Sequence, residues 1–353
     1  MQHPTPNNRQ RVIAKPLMMP EFLHSIPSFV GSRPGAARAV LEAVQKIIRD
    51  DHAGTLALVL ETAGSTYVKA GAMAFFGGGE RQIGWLSGGC LEPEIRRRAD
   101  AVASSGEFDV MAVDTLDDED LFSGSAIGCR GRLRLLLLPV QQLRRADALI
   151  DAWCQGAGTL SIRMHADGMF EWRIGVLSQS WQLQRSAREH EAVAAEGAVM
   201  LARPATLLML GAGPEAPALL PQLRALGWFT SVVEQRERWR DNRVLADIAL
   251  NETVAAAIAQ VRAGQFDAAL VMHHHFELDL QALQALAATD IPFIGLLGPQ
   301  RRREDLFKLL PATAISALQP RLRSPVGLDL GGLGADSIAL SILAQLQAFL
   351  HGH

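Results

Sequence analysis

The chain has 353 residues, a formal net charge of −3, 48% hydrophobic and 20% charged residues, and three cysteines. This composition is that of a soluble globular protein, and the length exceeds what one hydrophobic core usually organises, so two domains are expected. The near-neutral charge and short arginine clusters (Arg96 to Arg98, Arg301 to Arg303) exclude a general nucleic-acid binder, and three widely spaced cysteines exclude a disulfide framework.

No run of about 18 apolar residues is present to span a bilayer, and the N-terminus lacks the charged start and apolar core of a signal peptide. The expectation is a cytoplasmic protein with no nucleic-acid and no membrane partner.

Residues 1–34 are proline-rich without a steady period and read as an irregular N-terminal arm. Val40, Leu41, Val44, Ile47 and Ile48 then recur at helical spacing. After Gly54, "TLALVLETAGS" reads as a buried strand, and "AMAFFGGGERQIGWLS" as a hairpin around a glycine-rich loop. A helix from about Leu91 to Ser104, a strand from Phe108 to Val113, a solvated acidic loop at Asp117 to Asp120 and a strand from Arg132 to Leu138 complete an N-terminal α/β domain, 35–139.

Residues 140–203 read as a connector, with a helix ending at Cys154, a hairpin turning at Asp167-Gly168, and a later stretch without a clear pattern. From 204 to 353 strands and helices alternate, which predicts a parallel sheet with helices on both faces. The fold class expected is therefore α/β: a smaller N-terminal α/β domain plus a C-terminal Rossmann-like, doubly wound parallel sheet.

Two kinds of feature could carry chemistry. In "IGWLSGGCLEPEI", Cys90 follows Ser87-Gly88-Gly89 at a strand-to-helix junction. Glycines allow close backbone approach and a helix start favours an anion, so Cys90 is either an activated thiol or buried filler behind a turn. Cys129, in "IGCRG", has Arg130 beside it as an electropositive neighbour; Cys154 reads as packing.

In the C-terminal half, Gly211-Ala212-Gly213-Pro214-Glu215-Ala216 fits G-x-G-x-x-A between an apolar strand and a helix. Gly211 permits the turn, Gly213 lets a phosphate reach backbone N–H groups, and Glu234, at the end of the next strand, is placed to accept a ribose hydroxyl. His273-His274-His275 ends another strand, with Glu277 and Asp279 close by; His274 is the expected ligand contact, since adjacent histidines rarely ligate one metal together. Arg301 and Arg302, in "GLLGPQRRRE", are either a phosphate clamp or a solvated face. "SPVGLDLGGLGADS" is a glycine-rich loop before the last helix.

With these residues assembled, the chain resembles the XdhC/CoxI family, the xanthine dehydrogenase accessory factors. "ETAGSTYVKAGAMAFF" is similar to that family's G-S-[ST]-x-R-x-x-G-A block, "SGGCLEPEI" to its S-G-G-C-[VL]-E block and "GCRGRLRLLLLPV" to its G-C-G-G block. "LLMLGAG", "VVEQR", "VMHHHFELD", "FIGLLGPQRRRE" and "SPVGLDLGGLGADSIALSILA" follow in the family's order.

The resemblance implies a maturation factor, non-catalytic or weakly catalytic. Such a protein binds molybdenum cofactor (molybdopterin, with or without an attached nucleotide) and assists its sulfuration with a cysteine desulfurase. It then delivers the cofactor to a molybdenum hydroxylase client of the xanthine or aldehyde dehydrogenase type, commonly as a homodimer or larger homo-oligomer. Carried over, Cys90 and Cys129 are the family's two cysteines, suited to contact molybdenum or a transferred sulfur, while Gly211, Gly213, Arg301 and Arg302 would hold the cofactor's phosphate or nucleotide. The chain departs from the pattern at Arg130 (usually glycine), His273 to His275 (often Thr-His-Asp), Gly334 to Ser337 (commonly Thr-Pro-Glu-Glu), Gln345 (glutamate) and Lys69 (arginine). The alternative, resting on Gly211, Gly213 and Glu234 alone, is an NAD(P)-dependent oxidoreductase.

Overall fold

The structure, a computed structural model, describes residues 35–78, 81–114, 131–187 and 196–352. The N-terminal arm, the acidic loop at Asp117 to Asp120, Cys129 and Arg130 lie outside these residues. The described residues fall into two compact units, one comprising Glu42–Trp153 and Ala157–Ala202, the other the remainder of the N-terminal helix, Cys154–Gly156 and the chain from Arg203 onward.

The N-terminal helix α1 (Gly35–Arg49) buries Val40, Leu41, Val44 and Ile47, the stripe that its periodicity predicts. Strands β1 (Gly54–Gly64), β2 (Met73–Gly77), β3 (Gln82–Ile83), β4 (Asp109–Asp114) and β5 (Gly131–Pro139) form an antiparallel sheet in the order β3-β2-β1-β5-β4. Helix α2 (Glu92–Ser105) lies on one face of it.

The two periods mesh there. Ile95, Ala99 and Val102, one face of α2, pack with Ala57 and Val59 of β1 and with Leu133, Leu135 and Leu137 of β5. A buried leucine of this kind contributes about 1.5–3 kcal/mol relative to exposure. Gly106 ends α2 in the left-handed conformation, φ 75°, its N–H donating to the Val102 carbonyl.

The stretch 140–203, expected as a connector, has a sheet of its own. Helix α3 (Ala146–Cys154) is followed by β6 (Leu160–Met164), β7 (Met169–Ile174), β8 (Leu177–Gln182) and β9 (Gly197–Leu201), ordered β8-β7-β6-β9. The Asp167-Gly168 turn joins β6 to β7, while the unpatterned stretch contains β8, whose Trp181 packs edge-on against Trp172. β8 is too polar, and β9 too short a run of small and apolar residues, to stand out as strands in the sequence.

In the second unit six strands are all parallel: β10 (Thr206–Leu210), β11 (Phe229–Val233), β12 (Ile248–Leu250), β13 (Ala268–Val271), β14 (Phe293–Leu296) and β15 (Leu322–Arg323). Their spatial order, β12-β11-β10-β13-β14-β15, is the doubly wound order, in which the strand order reverses between β10 and β13. On one face Leu207 and Met209 of β10 pack with α4 (Ala216–Ala225) and α9 (Ala335–Leu350). On the other, Leu208 and Leu210 pack with α5 (Val254–Ala259), α6 (Phe276–Leu286) and α7 (Gln300–Phe307); α8 (Ala312–Leu318) precedes β15. The α/β class with a Rossmann-like C-terminal sheet is thus present, and its switch point lies at the C-terminal ends of β10 and β13.

Candidate functional site

Cys90 stands on a short loop that two buried polar residues hold in shape. Glu92, the first residue of α2, turns back so that its Oε1 accepts the backbone N–H groups of Leu86 (2.9 Å) and Ser87 (3.0 Å), while Oε2 accepts Gln82 Nε2 (2.8 Å). Ser87 is buried, and its Oγ accepts the N–H groups of Gly89 (3.1 Å) and Leu91 (3.3 Å). These bonds satisfy donors on both sides of the cysteine.

Between them Gly88, Gly89 and Cys90 are exposed. A β-carbon at Gly88 or Gly89 would meet no atom within 4 Å, and Gly89 has φ 114°. The expectation of buried filler is therefore not met: the thiol faces open space on a loop anchored from below. Cys129 lies outside the described residues. Gly131, two residues on, packs so tightly against the 63–66 turn that a β-carbon there would sit 2.7 Å from the Ala63 and Ser65 carbonyls.

The second locus is the switch-point crevice. Gly211 has φ 95°, and a β-carbon on it would lie 2.7 Å from the backbone of His273, so the ends of β10 and β13 touch main chain to main chain. His273 is buried; its backbone N–H (3.2 Å) and Nδ1 (3.0 Å) both donate to Asp279 Oδ1, and Arg302 donates to Asp279 Oδ2 from Nη2 (2.6 Å) and Nε (3.2 Å). Burial works to raise the Asp279 pKa, but the hydrogen bonds from His273 and Arg302 outweigh it and hold it below 3.8.

His274 points the other way. It has φ 53°, an uncommon conformation for a residue with a side chain, and its ring is 41% exposed. Its Nε2 lies 3.1 Å from both carboxylate oxygens of Glu215, which is buried at the start of α4. Burial again acts to raise the Glu215 pKa; the His274 hydrogen bond, Glu215's own backbone N–H and the charge of Arg236 bring it below 4.5.

The glycine loop spends several of its amides within the protein. The Gly211 N–H donates to Val233, Ala212 N–H to Glu234 Oε2 (2.7 Å), and the N–H groups of Ala216 and Ala218 fall back on Gly213 and Glu215. Pro214 and Pro217 have no N–H to offer. Glu234, expected to meet a ribose, is buried with both oxygens engaged by Ala212 and by the backbone and guanidinium of Arg236, which also donates to the His273 carbonyl.

Arg302 is likewise committed to Asp279. Arg301 is 89% exposed, and its ion-pair neighbour is Asp305 at 4.0 Å, so the two arginines form no joint clamp. The triple histidine splits between two carboxylates, with His275 exposed at the start of α6. Among the described residues no group of three metal-ligating side chains converges.

Sequence reasoning does not find Glu215, Glu92 or Asn242, whose Nδ2 donates to the Ala212 and Gly213 carbonyls (2.9 and 3.2 Å). Each acts through a partner across a turn or on another element; Glu92 lies within the cysteine block and Glu215 within the glycine motif, and neither motif assigns them these partners.

Comparison with known proteins covers both units. The XdhC Rossmann domain matches residues 207–346 and the XdhC and CoxI family matches residues 47–114, together more than half of the chain. A probable xanthine dehydrogenase subunit of Bacillus subtilis (strain 168) is 25% identical over 321 residues, 85% of this chain and 94% of that protein. A xanthine dehydrogenase from Bacillus halodurans, known as a crystal structure, superposes with a TM-score of 0.70 at 25% identity, over 89% of this chain and 96% of that one. With both halves matched in order and the fold shared along almost the whole length, the chain belongs to the XdhC and CoxI family.

Proposed function

We propose that this protein is an accessory factor of a xanthine dehydrogenase-type molybdenum hydroxylase, a maturation protein rather than the hydroxylase itself. Its cargo is molybdenum cofactor, which it binds, helps to sulfurate with sulfur from a cysteine desulfurase, and hands to the client, acting as a homodimer or larger homo-oligomer. The xanthine dehydrogenase names of its relatives support the client class.

The observation that carries the reading is the presentation of Cys90. A thiol is a soft ligand suited to molybdenum or sulfur, and this one is exposed beside two glycines whose missing side chains leave room for a bulky cargo. Ser87 and Glu92 fix the loop, so Cys90 is offered in one position rather than swept through many. Cys129 is the second thiol in this reading.

The competing reading, an NAD(P)-dependent oxidoreductase, needs a pyrophosphate at the start of α4. There the amides of Gly211, Ala212, Ala216 and Ala218 are used internally, two prolines remove donors, and the Glu215 carboxylate would repel it.

The test is to load the purified protein with molybdenum cofactor and measure activation of a cofactor-free xanthine dehydrogenase. Wild type is expected to bind the cofactor and activate the client, and Cys90→Ala to lose most of that activation while keeping its fold. Unchanged cofactor binding and client activation in both Cys90→Ala and Cys129→Ala would overturn the assigned thiol roles.

A further inference from the structure

The Glu215–His274 pair is not explained by the fold. Its carboxylate is buried at the switch-point crevice, where ligands of doubly wound sheets collect, yet its partner is the half-exposed ring of a residue held at φ 53°. Its one side-chain donor is a ring N–H, 3.1 Å from each oxygen, beside Glu215's own backbone N–H. A carboxylate is better matched by two parallel donors, one to each oxygen.

Gly213 packs directly against this pair. It does not need to be glycine for its own backbone, because its φ is not in the left-handed region. A β-carbon there would instead press to 3.3 Å on both Glu215 Oε2 and His274 Cδ2.

We propose that this crevice recognises two parallel N–H donors on the edge of a planar nitrogen heterocycle, the amidine-like edge shared by 2-amino-4-oxo-pteridines and guanine, with Glu215 accepting both as His274 swings aside. The donor pair fits the two oxygens. An anion is disfavoured, since it would face a buried carboxylate. Resting on the cofactor reading above, the inference assigns the pterin ring, rather than the phosphate, to this crevice.

The test titrates the full-length protein with 6-methylpterin, guanosine and lumazine, the last having oxygen where the pterin has its amino group. The expected result is saturable binding of 6-methylpterin, with lumazine and the Glu215→Gln variant each weaker by about tenfold or more, one lost charge-assisted bond being worth roughly that factor. His274→Ala, which frees the carboxylate without removing it, binds 6-methylpterin at least as tightly as wild type, so the idea stays testable if Glu215→Gln fails to fold. Guanosine binding more tightly than 6-methylpterin keeps the edge chemistry and makes the source a guanine nucleotide.

Equal affinity for pterin and lumazine, a folded Glu215→Gln that binds like wild type, or competition by inorganic pyrophosphate overturns the proposal. If the whole cofactor loads and activates the client regardless of Glu215, this inference falls and the accessory role stands. If 6-methylpterin binds through Glu215 but no cofactor is delivered, the accessory role falls and the crevice chemistry stands.

Discussion

Gly211→Ala should damage the second unit more than any ordinary loop glycine. The alanine would have to hold φ near 95°, a region that costs a residue with a side chain of order 1–3 kcal/mol. Its β-carbon would also sit 2.7 Å from the nitrogen and α-carbon of His273 and from the carbonyl carbon of Met272, all backbone atoms that no rotamer change can move. Overpacking of that kind adds about 1–3 kcal/mol, because the ends of β10 and β13 must separate.

The control is Gly264→Ala in the same unit, at φ 69°, where an added β-carbon meets nothing within 4 Å and only the backbone term applies. The difference between the two variants is then the collision, about 1–3 kcal/mol or roughly 2–12 °C in the unfolding midpoint of a unit this size, together with the less favourable φ at Gly211. Thermal unfolding followed by circular dichroism and calorimetry measures it. Equal midpoints for the two variants would refute the claim that main-chain contact, rather than the turn alone, demands this glycine.

Two further outcomes follow from buried carboxylates. Glu92→Gln sets an amide NH2 among the N–H groups of Leu86 and Ser87 and the Gln82 amide, so at least one donor loses its acceptor at a cost of about 1–3 kcal/mol; hydrogen exchange at residues 86–91 should accelerate, and unchanged protection there would mean that Glu92 does not hold the cysteine loop. Glu215, Glu234 and Asp279 have folded pKa values below their ordinary 4.5, 4.5 and 3.8. Each therefore contributes stability that is complete above those values and is lost as pH falls through the lower folded ones; the urea midpoint should hold from about pH 7 to about pH 5 and then drop, more shallowly in Asp279→Asn, and a drop already complete above pH 5 contradicts the assignment.

The alternating strands and helices after Ala205 were legible because a parallel sheet buried on both faces writes continuous apolar runs, as in "TLLML", and several turns carry glycine, as at Gly211, Gly227 and Gly298. The helix stripes of α1 and α2 were legible for the same local reason. Strands β8 and β9 were not: "LSQSWQ" is half-exposed, with Trp181 as its only buried side chain, so its place comes from pairing with β7 rather than from its own pattern. At the site, position was readable and partnership was not. His274 was placed at a strand end by sequence, but Glu215 lies 59 residues earlier, and only the parallel pairing of β10 with β13 brings them together.

The glycines show why a motif underdetermines its chemistry. Gly211, Gly213, Gly88 and Gly89 look alike in sequence, each beside a strand-to-helix junction, yet the structure needs them for different reasons. Gly211 is required by another backbone, Gly213 by a carboxylate and an imidazole, Gly89 by its own φ, and Gly88 by nothing that the described residues place near it. A glycine that neither packing nor torsion demands leaves room that the described residues do not fill. By that argument the open space beside Cys90 points to a ligand more strongly than the better-known glycine pattern at 211–213, whose small residues are already accounted for by the protein itself.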